Sequence, residues 1–323
     1  MILRLAGRSL LTAVAATAVV FAATELLPGD AGGLADSGRA SEADLAQRRA
    51  DLGLDRPAAE RYLDWLGGTL RWELGRSLVS GRPVTALLAE RLPASVVLVA
   101  VALALTAALT LLALAVAYLR GGRGGGWATG LAAVPQPVYA AGLTAVLAGL
   151  LGWLPAVSVL PPGGSPLDAP QALVLPALTL ALPSAAFATV LLRGTLEDTV
   201  RRAHVGDARI RGLPALLVLR RHVLPFLAVP ALQLAALLAG GLMAGTALVE
   251  TLFGYPGTGH LLVSAVAVRD IPVVQAAALP PIAVLLLGML LADLLARRSA
   301  DRPAPADVAV PAATCSAAGD RCP

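Results

Sequence analysis

Six stretches of the chain, roughly 8–27, 94–118, 127–151, 171–192, 223–249 and 272–296, are apolar over close to or more than the ~20 residues that a helix needs to cross a bilayer core of ~30 Å. Inside such a core the backbone must bond to itself, so the spans are predicted to be helices. The composition agrees, with 57% hydrophobic and 14% charged residues among 323, outside the range of soluble domains. The expectation is an all-α polytopic membrane protein of six transmembrane helices. The first run follows a leader-like "MILRLAGR" and is interrupted by Glu25. It outruns the ~7–15 apolar residues of a cleaved signal, so it is read as a span.

Arginines in short loops set the orientation. With the N-terminus inside, Arg4, Arg8, Arg120, Arg123, Arg193, Arg201, Arg202, Arg209, Arg211, Arg220, Arg221, Arg297, Arg298, Arg302 and Arg321 all lie on the inner side. The two short outer loops carry Arg269 alone. An even number of spans then puts both termini in the cytoplasm, with the loop at about 198–222 inside and the segment at about 30–92 outside.

All 25 basic residues are Arg. A GxxxxGK[ST] phosphate loop needs its Lys, so any nucleotide that drives work here is expected on another polypeptide. His204, His222 and His260 are scattered, and Cys315 and Cys322 fall in the last nine residues, so no metal site or disulfide scaffold is expected.

The outer segment changes to average polarity, with nine Arg against ten acidic residues. Ser41 is placed to cap a helix start. Tyr62, Leu63, Leu66 and Leu70 fall at helical spacing, with Trp65 and Trp72 as packing or interface aromatics. A small external helical cap is expected, either a shield or a dock for an external partner. Glu250 and Asp293 are the ionisable groups nearest the hydrocarbon and should face the bundle interior or snorkel. A loop cation such as Arg269 is one expected partner for Glu250, and a part in gating is the other reading. Pro176, Pro183, Pro225, Pro230, Pro280 and Pro281 should bend spans four to six, and Gly241–Gly245 forms a GxxxG suited to close helix contact.

The most polar short stretch between two spans is "VGDARIRGLPALLVLRRHVLP", residues 205–225. Gly212, nine residues and then His222-Val223-Leu224-Pro225 resemble the EAA loop of ABC-transporter permease subunits. This chain reads Gly206-Asp207-Ala208 where that pattern has Glu-Ala-Ala. "ARIRGL" and "LRRHVLP" are more similar to the dipeptide, oligopeptide and nickel permease family. "ELLPGD", "LGLDRPAAERYLDWL", "ELGRSLVSGRPVTALLAERLPAS", "GWLPA", "LVLPALTLALP" and "LVETLFGYPGTGHLLVSAVAVRDIPVVQAAAL" agree with it in order, over about residues 1–302. His204 and Phe226 depart from that family, which usually has an aromatic at the first and an Asn near the second.

The resemblance implies an ABC importer type I permease-like domain over 1–302 and half of a heterodimeric pathway for short peptides. It implies a second permease subunit, cytoplasmic ATP-binding subunits, an external substrate-binding protein and membrane lipid as partners, with no nucleic acid. No cofactor and no catalysis are expected in this chain, and its place is the plasma membrane of a prokaryote. Nickel or another small solute is the alternative cargo, and an ion-gradient carrier the alternative class. Asp207, Ala208, Arg209, Arg211, Gly212, His222, Leu224 and Pro225 are the expected ATPase-coupling residues. Glu250, Gly254, Pro256, Gly257, Gly259 and Asp270 are the candidates for the pathway or its gate, in a turn expected to line the outer mouth. The tail at 303–323 is Pro- and Ala-rich and reads as disordered.

Overall fold

A computed structural model describes residues 2–26, 56–120, 126–159 and 166–300. The expected Ser41 cap, the tail from 303 and both cysteines lie outside the described residues. Those described are helical, apart from turns and one isolated antiparallel bridge, Arg76 to Pro83.

Helix α1 is Ile2–Glu25 and α2 is Ala58–Leu70. The two pack through Phe21, whose ring lies 5.5 Å from Tyr62 and 6.0 Å from Trp65. The Tyr62 hydroxyl donates to the Val14 carbonyl at 3.2 Å, and Arg61 pairs with Glu25 at 2.6 Å. Of the helically spaced set Tyr62 and Leu66 are half-buried, with the packing aromatic Trp65, whereas Leu63 and Leu70 stand 64% and 76% exposed. The aromatic pair offers large apolar area, and the Tyr62 hydroxyl adds a polar tip that bonds the partner backbone.

Helix α3, Val84–Leu119, has 36 residues and is about 54 Å long, well beyond a ~30 Å hydrocarbon core. The third expected span is instead two pieces, α4 (Gly126–Ala132) and α5 (Gln136–Leu143), the latter prolonged by a π turn over Thr144–Leu150. They meet at 95°. Pro135, extended at ψ 143°, heads α5, and its ring bars the preceding residue from helical geometry.

Helix α6, Pro170–Val200, is the central post: 61% of its apolar stretch is buried, against 28% in α3. Ala177, Ala181, Ala185 and Ala188 line it and are nearly fully buried. Such small residues let α3 approach closely enough for Thr106 and Thr110 to reach the Ala181 and Ala185 carbonyls at 3.5 and 3.4 Å.

Next come α7 (Ala203–Ile210), α8 (Ala215–Val218), a π turn (Leu219–Val223) and α9 (Leu224–Phe253). From Ala215 to Phe253 the chain runs on as one 39-residue helix. Pro225 does not break that helix. It sits in the first turn after the widened π turn, where its missing N–H is tolerated. The last elements are α10 (Thr258–Ala267), α11 (Ile271–Ala277) and α12 (Leu279–Ala300).

Helices α9 and α12 form an intimate pair. A Cβ at Gly240 would lie 2.7 Å from the Leu285 Cα, and one at Gly288 would strike the Ala236 carbonyl. The expected Gly241–Gly245 pair plays no such part, since a Cβ at Gly241 would meet open space and one at Gly245 an ordinary 3.4 Å contact with Leu180. Against six expected spans, four helices among the described residues are long and apolar enough to cross a bilayer, the bent pair would make a fifth, and the apolar part of α1 is the shorter helix Leu10–Glu25.

Candidate functional site

At the end of α9 the chain ties a polar knot. Glu250 is fully buried and both carboxylate oxygens accept hydrogen bonds, Oε1 from the Ser95 hydroxyl at 2.6 Å and Oε2 from the His260 N–H at 3.0 Å. His260 lies in the first turn of α10, so Glu250 caps that helix from outside its sequence. Ser95 in turn accepts from the Thr258 N–H at 2.8 Å and the Thr258 hydroxyl at 3.0 Å. The donors around Glu250 are thus hydroxyls and backbone N–H groups rather than the guanidinium of Arg269. Ser95 has used its one proton and both lone pairs, and a buried network completed in this way holds three helices in register.

The turn that closes the knot depends on glycine. Gly254 ends α9 at φ 64°, the left-handed position a helix end favours in glycine. Gly257 lies so close to Glu250 that a Cβ there would overlap the carboxylate, and one at Gly259 would overlap the Ala247 Cα. Pro256 is half-buried between them. Tyr255 is fully buried and donates its hydroxyl to the Ala94 carbonyl at 3.0 Å. Burial, helped by Glu250, pushes its phenol above the ordinary tyrosine range, so it stays a donor. This turn is packed inward, against α3.

Asp270 forms a second tie. Its carboxylate accepts from the Ser77 hydroxyl at 2.5 Å and the Leu78 N–H at 3.1 Å, and it is 4% exposed. Ser77 also accepts from the Ser80 N–H at 2.9 Å, so the tight 77–82 turn ahead of α3 is pinned to the start of α11.

The other end of α9 carries the Arg-rich segment. Val205 and Ala208 press α7 into a cluster with Leu114, Tyr118, Leu196 and Val223. Gly212, at φ 76°, turns the chain between α7 and α8. His222 accepts through its carbonyl from the His204 ring at 3.2 Å, and the His204 ring lies 4.8 Å from Phe226. The two departures from the family pattern therefore pack on each other. Asp207, Ile210, Arg211, Leu213 and Leu216 are exposed, Pro225 is exposed and Leu224 half-buried. Arg209 folds back with its guanidinium 5.3 Å from the centre of the Tyr118 ring. Asp293, half-buried, borders a cavity of about 480 Å³ with Thr195, Gln233 and Met289. Among the described residues no group of His, Cys, Asp and Glu could hold a metal ion.

Ser95, Ser77, Tyr118 and Tyr255 were not among the expected site residues. A serine at the apolar start of a span, one turn after Glu90 and Arg91, signals little until its partner 155 residues downstream is known.

Residues 131–304 match the family described as binding-protein-dependent transport system inner membrane component. A Brucella abortus protein named as a peptide transport system permease is 31% identical over 262 residues, 80% of this chain and 83% of its own. The glutathione transport system permease of Pectobacterium atrosepticum is 32% identical over 285 residues, 86% of this chain and 90% of its own. The di/tripeptide transport system permease of Pseudomonas aeruginosa is 30% identical over 294 residues, 80% of this chain and 85% of its own. The chain belongs to the binding-protein-dependent inner-membrane components, as a multi-pass ABC importer permease subunit that is not itself catalytic.

Proposed function

We propose that the chain forms half of a heterodimeric pathway importing short peptides, glutathione-like peptides included, with ATP hydrolysed by cytoplasmic subunits and cargo delivered by an external binding protein. The cargo reading rests on what the named relatives transport. In this reading the permease domain is 1–302 with six spans, α1 and the bent α4–α5 pair completing the set, both termini inside, and 303–323 a tail. The 30–92 segment faces outward.

The observation that carries the coupling role is the exposed strip Ile210, Arg211, Leu213 and Leu216, which runs from the end of α7 across the Gly212 turn to α8, the start of a helix that continues into the pathway span. An exposed apolar strip of this kind suits a protein partner. Asp207 and Arg211 supply charges at its edge, and Ala208, Arg209, His222, Leu224 and Pro225 brace it from behind. At the far end Glu250, Gly254, Pro256, Gly257, Gly259 and Asp270 anchor the same helix, so a displacement of α8 tilts α9 about a fixed outer end.

Gly212 tests this. Valine is strained at its positive φ, whereas asparagine tolerates it. In proteoliposomes holding the whole transporter, Gly212→Val should lose hydrolysis stimulated by loaded binding protein and Gly212→Asn should keep it. Normal stimulated uptake by Gly212→Val would reduce 205–225 to a positive-inside anchor.

A further inference from the structure

Between the ends of α3, α6 and α7 lies a cavity of about 350 Å³ whose wall carries Arg193, Arg201 and Arg209 beside Tyr118, Leu196 and Val200. Glu197 answers one of these cations, accepting from the Arg193 Nε at 2.8 Å. Arg201 and Arg209 have no carboxylate partner among the ion pairs of the described residues. Arg209 is nonetheless held, because Val205 and Ala208 fix α7 beneath it and its guanidinium rests on the Tyr118 ring. One guanidinium seated on an aromatic ring and a second at the end of α6, neither with a carboxylate partner among the described residues, suit an anion, and planar forks match phosphate oxygens.

The cavity also borders apolar space. Ala117 and Arg193 are shared with a second cleft of about 80 Å³ that runs back along α3 and α6 past Ala113, Trp127 and Val190. Trp127, 53% exposed at the start of α4, is an aromatic of the kind found at headgroup level. A free phosphate would use the cations and leave that cleft unexplained. Basic pockets between helices at a membrane face take anionic lipid headgroups.

We propose that this cavity binds one anionic phospholipid, its phosphodiester held between Arg201 and Arg209 and the start of an acyl chain lying in the cleft beside Trp127. The lipid would bridge α6 to α7 and so stiffen the segment that carries the coupling strip. This proposal needs only that the chain spans a membrane and stands whether or not an ATPase docks on α7.

The full chain, purified with its co-expressed partners into phosphatidylcholine nanodiscs, is titrated with phosphatidylglycerol, and bound lipid is counted by native mass spectrometry. The wild type should retain phosphatidylglycerol in preference. Arg201→Gln with Arg209→Gln should weaken that retention roughly tenfold or more, while Arg220→Gln with Arg221→Gln, an equal loss of charge outside the cavity, should not. If the glutamine pair fails to assemble, Arg201→Lys with Arg209→Lys serves instead, with a partial loss expected from poorer phosphate geometry and no loss counting against the site. Equal effects of the two glutamine pairs would mean a diffuse surface field and overturn the proposal. Displacement of the lipid by inorganic phosphate, together with indifference to Trp127→Asp, would assign the site to free phosphate and overturn it as well.

Discussion

Glu250 shows how narrowly a buried carboxylate is specified. Glutamine has its size, yet whichever way the amide is turned, either the Ser95 hydroxyl or the His260 N–H loses its acceptor. Glu250→Gln is expected to cost ~1–3 kcal/mol, the price of one buried unsatisfied donor, seen as a lower unfolding temperature in detergent. Gly257→Ala should be worse, because its Cβ meets the carboxylate itself, and folded protein recovered from membranes should fall sharply. That places the damage in folding. A transport-specific defect at Gly257 with normal amounts in the membrane would contradict the packing described here.

Among the elements, the α9–α12 pair offers a paired control. Gly288→Ala should push α12 off the Ala236 carbonyl and lower thermal stability, whereas Gly241→Ala, with open space around it, should be neutral or gain up to ~1 kcal/mol from helix propensity. The GxxxG spacing pointed to the wrong glycines because spacing reports which residues share a face and not which face a neighbour occupies. The long spans were legible because apolar length alone decides them. The third span was not, since Pro135 acts through the local backbone of its predecessor, and a window of apolar residues is blind to that. On α2 the spacing and the aromatics named Tyr62 and Trp65, which pack on Phe21, but also Leu63 and Leu70, which stay exposed. At the proposed coupling end Gly212 and the arginines could be read from the sequence, whereas the exposed Ile210, Leu213 and Leu216 were not singled out. The turning of Arg209 onto Tyr118 could not be read there, because it depends on two helices meeting. Asp270→Asn should loosen the 77–82 turn, with faster proteolysis and amide exchange there and little change at α7.

For the whole molecule, sidedness is the first quantity to measure. Single cysteines at Ser80 and Ala215, both exposed, in a background lacking Cys315 and Cys322, should react with an impermeant thiol reagent on intact cells at Ser80 and not at Ala215. The reverse pattern would invert the proposed orientation and with it the coupling end. The two ties at the far end also say something about time. Ser95 meets Glu250 across 155 residues and Ser77 meets Asp270 across 193, so neither can close until nearly the whole chain has left the ribosome. Until then the early half waits in the bilayer with a serine and a turn unclaimed, and long-range contacts of this kind are slow to form. Premature termination after α6 would therefore leave an inserted but unlocked fragment, marked for membrane proteases by the same hydroxyls that fasten the finished protein.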